Sequence, residues 1–161
     1  MNKPALLLVT ACLTLLGCAS GPSSSVSSVL DYGDQTSATL QAKAWEALGD
    51  GQLENAVKYT ERCGTLYENT AKQMQQSLTA KPKEDVVHDY WALNDVGTCY
   101  FIQGEAFMKL GRSNDALNAY QAVVDNYGYS QAWDPKGWFW SPASAASQKI
   151  AIINFRKTGQ Y

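Results

Sequence analysis

The sequence predicts an all-α protein: a short stack of helical hairpins with an aromatic C-terminal segment and a capping helix. Three observations predict it. Apolar residues recur at three- and four-residue spacing over long stretches, glycine or proline punctuates those stretches, and no segment alternates at period two, so essentially no sheet is expected.

Beyond Gln35, Leu40, Ala44, Ala47 and Leu48 share one helical face, and Gly49-Asp50-Gly51 ends that helix with residues that accept left-handed backbone. A second helix begins near Leu53. Its stripe of Ala56, Val57, Thr60, Cys63, Leu66, Tyr67, Met74 and Leu78 continues until Lys81-Pro82-Lys83, where proline forbids continuation. The third helix is expected from about Glu84 to Leu110, with Val87, Val96, Tyr100, Phe107 and Leu110 on its apolar sides. Gly111-Arg112-Ser113 turns the chain into a fourth helix from Asn114 to about Asn126. After the aromatic segment, Ser141 caps a last helix that opens on Pro142 and runs to about Phe155.

The run from Tyr100 to Val123 resembles a tetratricopeptide repeat. Gly104 falls at the close-approach position of its first helix, Phe107 three residues later, Leu110-Gly111 at the turn, Ala116 at the small position of the second helix and Tyr120 four residues beyond. The first pair is a more degenerate copy: Gly51, Leu53 and Ala56 fit, while Thr60 stands in place of an aromatic and Ala44 in place of the glycine. The resemblance covers about Ala38 to Asn126 and implies paired antiparallel helices whose first members line a concave, partner-binding face; a generic antiparallel helical bundle is the alternative. Projected onto this chain, that face carries Trp45 from the first pair and Thr98, Phe101, Glu105, Met108 and Lys109 from the second. Glu105 and Lys109 also have the spacing of an i,i+4 helix pair. With so few repeats, the last helix is expected to cap the stack.

The N-terminus has the layout of an export signal: Lys3, an apolar run from Ala5 to Leu16, and small Gly17 before Cys18. Leu15-Leu16-Gly17-Cys18 resembles a bacterial lipobox. The resemblance implies cleavage before Cys18, lipid on its sulfur and amine, and three acyl chains where two signals already suffice for stable anchoring. Ala19 after that cysteine resembles the sorting pattern for the outer membrane. The domains are thus expected as a signal peptide over 1–17, a lipidated cysteine and flexible tether over 18–35, and a helical domain over 36–161. The tether's Ser-, Gly- and Pro-rich composition offers too little apolar surface to offset ordering, and it spans roughly 20 Å as a coil.

Removing the first 17 residues leaves Cys63 and Cys99 apart from Cys18. In an exported chain an even pair fits a disulfide. In a long hairpin turning at Lys81-Pro82-Lys83 the two stand at the same height, and a bond between them would stabilise by roughly 3–4 kcal/mol. Helix axes, however, lie about 8–10 Å apart while a disulfide needs Cα atoms within about 7 Å, so two buried thiols fit equally well. There is no CxxC, and His88 is the single histidine, so neither a metal site nor a cofactor is expected.

The formal net charge is −2 with both signs scattered, and no basic stripe exists for nucleic acid. No nucleophile–base motif points to an enzyme. Three of the five tryptophans fall between Trp133 and Trp140, around the tight turn Asp134-Pro135-Lys136-Gly137. Trp138, Phe139 and Trp140 fit two roles: a lid over the open end of the stack, or a platform for a partner or a sugar ring. Together these features lead to the expectation of an outer-membrane lipoprotein on the periplasmic face that docks an envelope protein or peptide, with glycan binding through the tryptophan segment as the alternative.

Overall fold

The structure, a computed structural model, describes residues 29–159. The expected signal peptide, Cys18 and the first part of the tether lie outside the described residues. Among those described, five α-helices follow in chain order: α1 (Ser37–Gly49), α2 (Leu53–Gln76), α3 (Trp91–Lys109), α4 (Ser113–Asn126) and α5 (Pro142–Thr158). Each packs on the next, α2 on α3 most extensively, and α1 also reaches α3 while α3 reaches α5. The fold is all-α, as the apolar periodicity requires.

The helical pairs turn on one repeated device. Gly51 (φ +75°) and Gly111 (φ +74°) both take the left-handed conformation just after a helix. Gln52 N donates to Ala47 O at 2.8 Å, and Arg112 N donates to Phe107 O at 2.8 Å, the same closure of a helix end in both places. Five residues after each glycine stands a fully buried alanine, Ala56 or Ala116. At Gly104 the backbone of α3 meets the ring of Tyr120 in α4 so closely that a Cβ would sit 2.4 Å from Cε1. Small residues therefore decide where these helices cross.

Leu93, Val96 and Ile102 of α3 form the centre of the core, flanked by Leu40 and Ala44 of α1, Ala56 and Cys63 of α2, and Tyr120 and Val123 of α4. Full burial of each large aliphatic side chain contributes roughly 1.5–3 kcal/mol. Cys63 and Cys99 lie side by side in this core, and the structure holds them as free thiols rather than as a disulfide. Burial, together with the neighbouring Cys63, pushes the Cys99 thiol well up.

The structure departs from the sequence reading at the start of the domain, at the α2–α3 connection and in the tryptophan segment. The folded part begins before residue 36: Leu30 and Tyr32 pack against the core, Tyr59 Oη donates to Asp31 O at 3.1 Å and Tyr67 Oη to Gln35 O at 3.0 Å. Helix α2 ends at Gln76 and α3 starts at Trp91, preceded by a single 3-10 turn over Val87–Tyr90. The connection is held by the chain after α4 instead of by helix: Gln75 Oε1 accepts from Tyr129 N, Thr79 O from Tyr129 Oη, and Pro82 O from Gln131 Nε2. Contrary to the expectation of no sheet, Ala132–Asp134 (β1) and Trp138–Trp140 (β2) form an antiparallel hairpin. Three-residue strands are too short to display a period, and the turn between them, with Gly137 at φ +106°, is the one the sequence advertises. As expected, the end of the stack is covered by α5, with Ala143, Ala146 and Ile153 buried, and of the two roles open to the tryptophan segment the lid over that end is not the one it takes.

Candidate functional site

The β-hairpin lies back over the face formed by α1 and α3, and contacts of Ser130 and Gln131 hold its base there. Ser130 sits against Gly97 of α3, where a Cβ would approach Ser130 Oγ to 2.6 Å, so only glycine admits the loop. Gln131 N donates to Asn94 Oδ1 at 2.9 Å and Gln131 Nε2 to Pro82 O at 2.8 Å, while Ser130 Oγ donates to Tyr127 O at 2.7 Å. The hairpin register places Trp133 opposite Phe139 and Ala132 opposite Trp140.

Between hairpin and helices runs a groove with two adjoining basins. The larger, about 580 Å³, is lined by Ala38, Gln41, Ala42 and Trp45 of α1, Phe101 of α3, and Ala132–Pro135 and Trp140 of the hairpin. The smaller, about 310 Å³, shares Ala38, Gln41, Ala132 and Trp133 and adds His88, Asp95, Thr98 and Phe139 among others. An aromatic row forms the larger basin: Trp45 and Phe101 lie 6.4 Å apart between centroids, and Phe101 and Trp140 5.3 Å apart at a steep angle. Trp133 packs edge-on to Phe139 at 4.9 Å and remains 56% exposed. A volume of several hundred Å³, mostly apolar with a few polar groups, is the usual form of a ligand site.

Those polar groups are carboxylates and amides, with the Thr98 hydroxyl and the His88 imidazole in the smaller basin. Asp95 accepts from Ser37 Oγ at 2.5 Å, and its burial holds its carboxyl above the ordinary carboxylate range despite that bond. Asp134 Oδ1 accepts from Lys136 N at 2.9 Å, which fixes the hairpin turn.

Of the residues projected onto a binding face, the structure brings Trp45, Thr98, Phe101 and Trp140 to the groove. Glu105 and Met108 face elsewhere. Glu105 Oε1 accepts from Tyr120 Oη at 2.5 Å and lies 2.6 Å from Lys149 Nζ of α5, and Met108 lies with Ser113 against Ile153 and Arg156 of α5. Burial and the Glu105 carboxylate together push the Tyr120 hydroxyl far up. Lys109 is exposed at the end of α3 and outside the groove. Trp138 also lies outside it, half exposed at 49%, with Lys136 Nζ over its ring at 6.0 Å. Asp95, Gln41 and Ala38 carry no signal in the sequence alone, whereas Trp133 and Asp134 belong to the tryptophan segment that sequence already marks. The available signal was the placement of Trp133 and Phe139 on either side of the Asp134–Gly137 turn, which makes them cross-strand neighbours once a hairpin is assumed.

Among the described residues no group of three metal-ligating side chains forms, and no helix is long and apolar enough to cross a membrane. The chain matches no protein-family model, no curated protein and no solved structure.

Proposed function

We propose that this chain is a lipid-anchored adaptor of the bacterial envelope, built on tetratricopeptide-like helical pairs, that docks a segment of a partner protein in the groove between α1 and the β-hairpin. The observation that carries this reading is the groove itself: an open, aromatic-lined cleft walled by a rigidly tethered hairpin, with Trp45 and Trp133 more than a third exposed. Aromatic side chains left bare in a concave site are the anchors around which interfaces are built. The repeated Gly51 and Gly111 turns, each followed by a buried alanine, support the repeat relationship. The lipobox-like sequence at Cys18, with Ala19 after it, supports an anchor at the periplasmic face of the outer membrane. The role is non-enzymatic, without a cofactor, and independent of nucleic acid.

A second reading, glycan binding, draws support from the same ring of tryptophans together with Gln41 and Asp134, which suit hydroxyl groups. The two readings separate by capture from native membranes with the full chain as bait. A protein retained by wild type and lost with Trp45→Ala and Trp133→Ala, but kept with the exposed control Lys109→Ala, supports docking. Retention of chitin or peptidoglycan fragments instead, lost with the same variants, supports the glycan reading. Metabolic labelling with a fatty-acid analogue tests the anchor: label lost in Cys18→Ser supports it, and undiminished label overturns it.

A further inference from the structure

The charge around the groove is one-sided. Among the described residues, Asp134 is the ionisable residue of the larger basin, the smaller adds Asp95 and His88, and no lysine or arginine lines either. Of the cations adjacent along the chain, Lys43 Nζ lies 3.0 Å from Asp31, and Lys136 Nζ lies over the ring of Trp138, the cross-strand partner of Asp134. His88 stands at the far rim, its ring 5.8 Å from that of Phe139. An anionic ligand would therefore meet two carboxylates and no counter-charge from the lining. A cation would meet the opposite situation, attracted by the carboxylates and by the negative faces of aromatic rings in a partly desolvated cleft.

We propose that the groove recognises a cationic side chain, the guanidinium or ammonium of an arginine or lysine in the partner's docked segment, seated among Trp45, Phe101, Trp133 and Trp140 with Asp134 as its counter-charge. The proposal rests on the docking reading above and adds the chemistry of the occupant. The turn uses Oδ1 of Asp134, and among the described residues that carboxylate forms no ion pair. Asp95 deepens the negative field from the adjoining basin, where Ser37 is its hydrogen-bond partner.

The test uses the full-length chain in a neutral detergent, labelled with 5-fluorotryptophan, and follows the assigned ¹⁹F resonances during titration with two short peptides. Acetyl-Gly-Arg-Gly-amide carries the charge, and acetyl-Gly-citrulline-Gly-amide is its neutral isostere. The expected result is that the arginine peptide moves the Trp45, Trp133 and Trp140 resonances and leaves that of Trp138 in place. The citrulline peptide should bind at least about threefold more weakly, the low end of what a cation over aromatic rings contributes. Asp134→Asn, which keeps the Oδ1 acceptor of the turn, should reduce that preference. Equal binding of the two peptides, no response to either, or an unchanged preference in Asp134→Asn overturns the proposal, as does response of the same resonances to chitotetraose alone. Its failure is distinguishable from failure of the docking reading. If Trp45→Ala and Trp133→Ala still lose the captured protein, docking stands and only the cationic occupant falls.

Discussion

The two sides of α3 are built on opposite plans. Toward α4 and α5 the helix is closed: Gly104 receives the Tyr120 ring at a distance no side chain could share, Tyr120 bonds to Glu105, and Lys149 of α5 completes the contact. Toward α1 the same helix packs on Leu40 and Ala44 and then borders an open groove, where buried Phe101 stands in a row with the more exposed Trp45 and Trp140. Residues three and four apart on one helix thus serve different ends. Burial on the first side holds the stack together, while exposure on the second leaves aromatic surface for something else to cover.

Substitutions can break this contrast. The largest effect is expected from Tyr120→Ala, which removes a fully buried ring and leaves a cavity between α3 and α4; a loss of about 3–5 kcal/mol should appear in denaturant unfolding. Gly104→Ala should cost about 1–3 kcal/mol by the same measurement, since the added methyl must displace the Tyr120 ring against only a modest gain in helix propensity. A midpoint equal to wild type in either would remove the close packing as the organising feature of the closed side.

Asp95→Asn sharpens the contrast from the open side. Burial raises the carboxyl, so between the ordinary carboxylate value and the raised one the native chain holds a proton that the unfolded chain has lost. Stability from this group is present at low pH and declines as pH rises through the native value. The variant keeps the Ser37 bond and cannot ionise. It should therefore be more stable than wild type at pH 7, with the difference shrinking as pH falls toward 4 in thermal melts. The smallest effect is expected at Trp133→Ala, whose side chain is more than half exposed: a stability change within about 0.5 kcal/mol.

Much of the closed side was legible in the sequence because its determinants are local. Glycine after a helix, alanine five residues on, and proline at the start of α5 announce themselves within a few residues. The open side was legible only in part. Periodicity along α3 places Phe101, Glu105 and Met108 on neighbouring faces, but it carries no information about α5, which returns from more than thirty residues away to cover Glu105 and Met108. In the same way, the need for glycine at 97 comes from Ser130, and the end of α2 at Gln76 from ties to Tyr129 and Gln131. The tryptophan segment declared its turn and its aromatic excess. Its destination over α1 and α3, rather than at the end of the stack, depends on side-chain bonds from Gln131 that local sequence does not reveal.

The proposed docking role assigns the groove side of α3 to binding and the α4 side to stability. Its most direct test is one paired measurement, denaturant midpoint and partner capture from native membranes, on Trp45→Ala/Trp133→Ala and on Gly104→Ala. The double tryptophan variant is expected to unfold within about 0.5 kcal/mol of wild type per substitution yet lose the partner, while Gly104→Ala loses stability but retains the partner under conditions where it remains folded. A double tryptophan variant that loses stability and binding in parallel, or that keeps the partner at full yield, would contradict it.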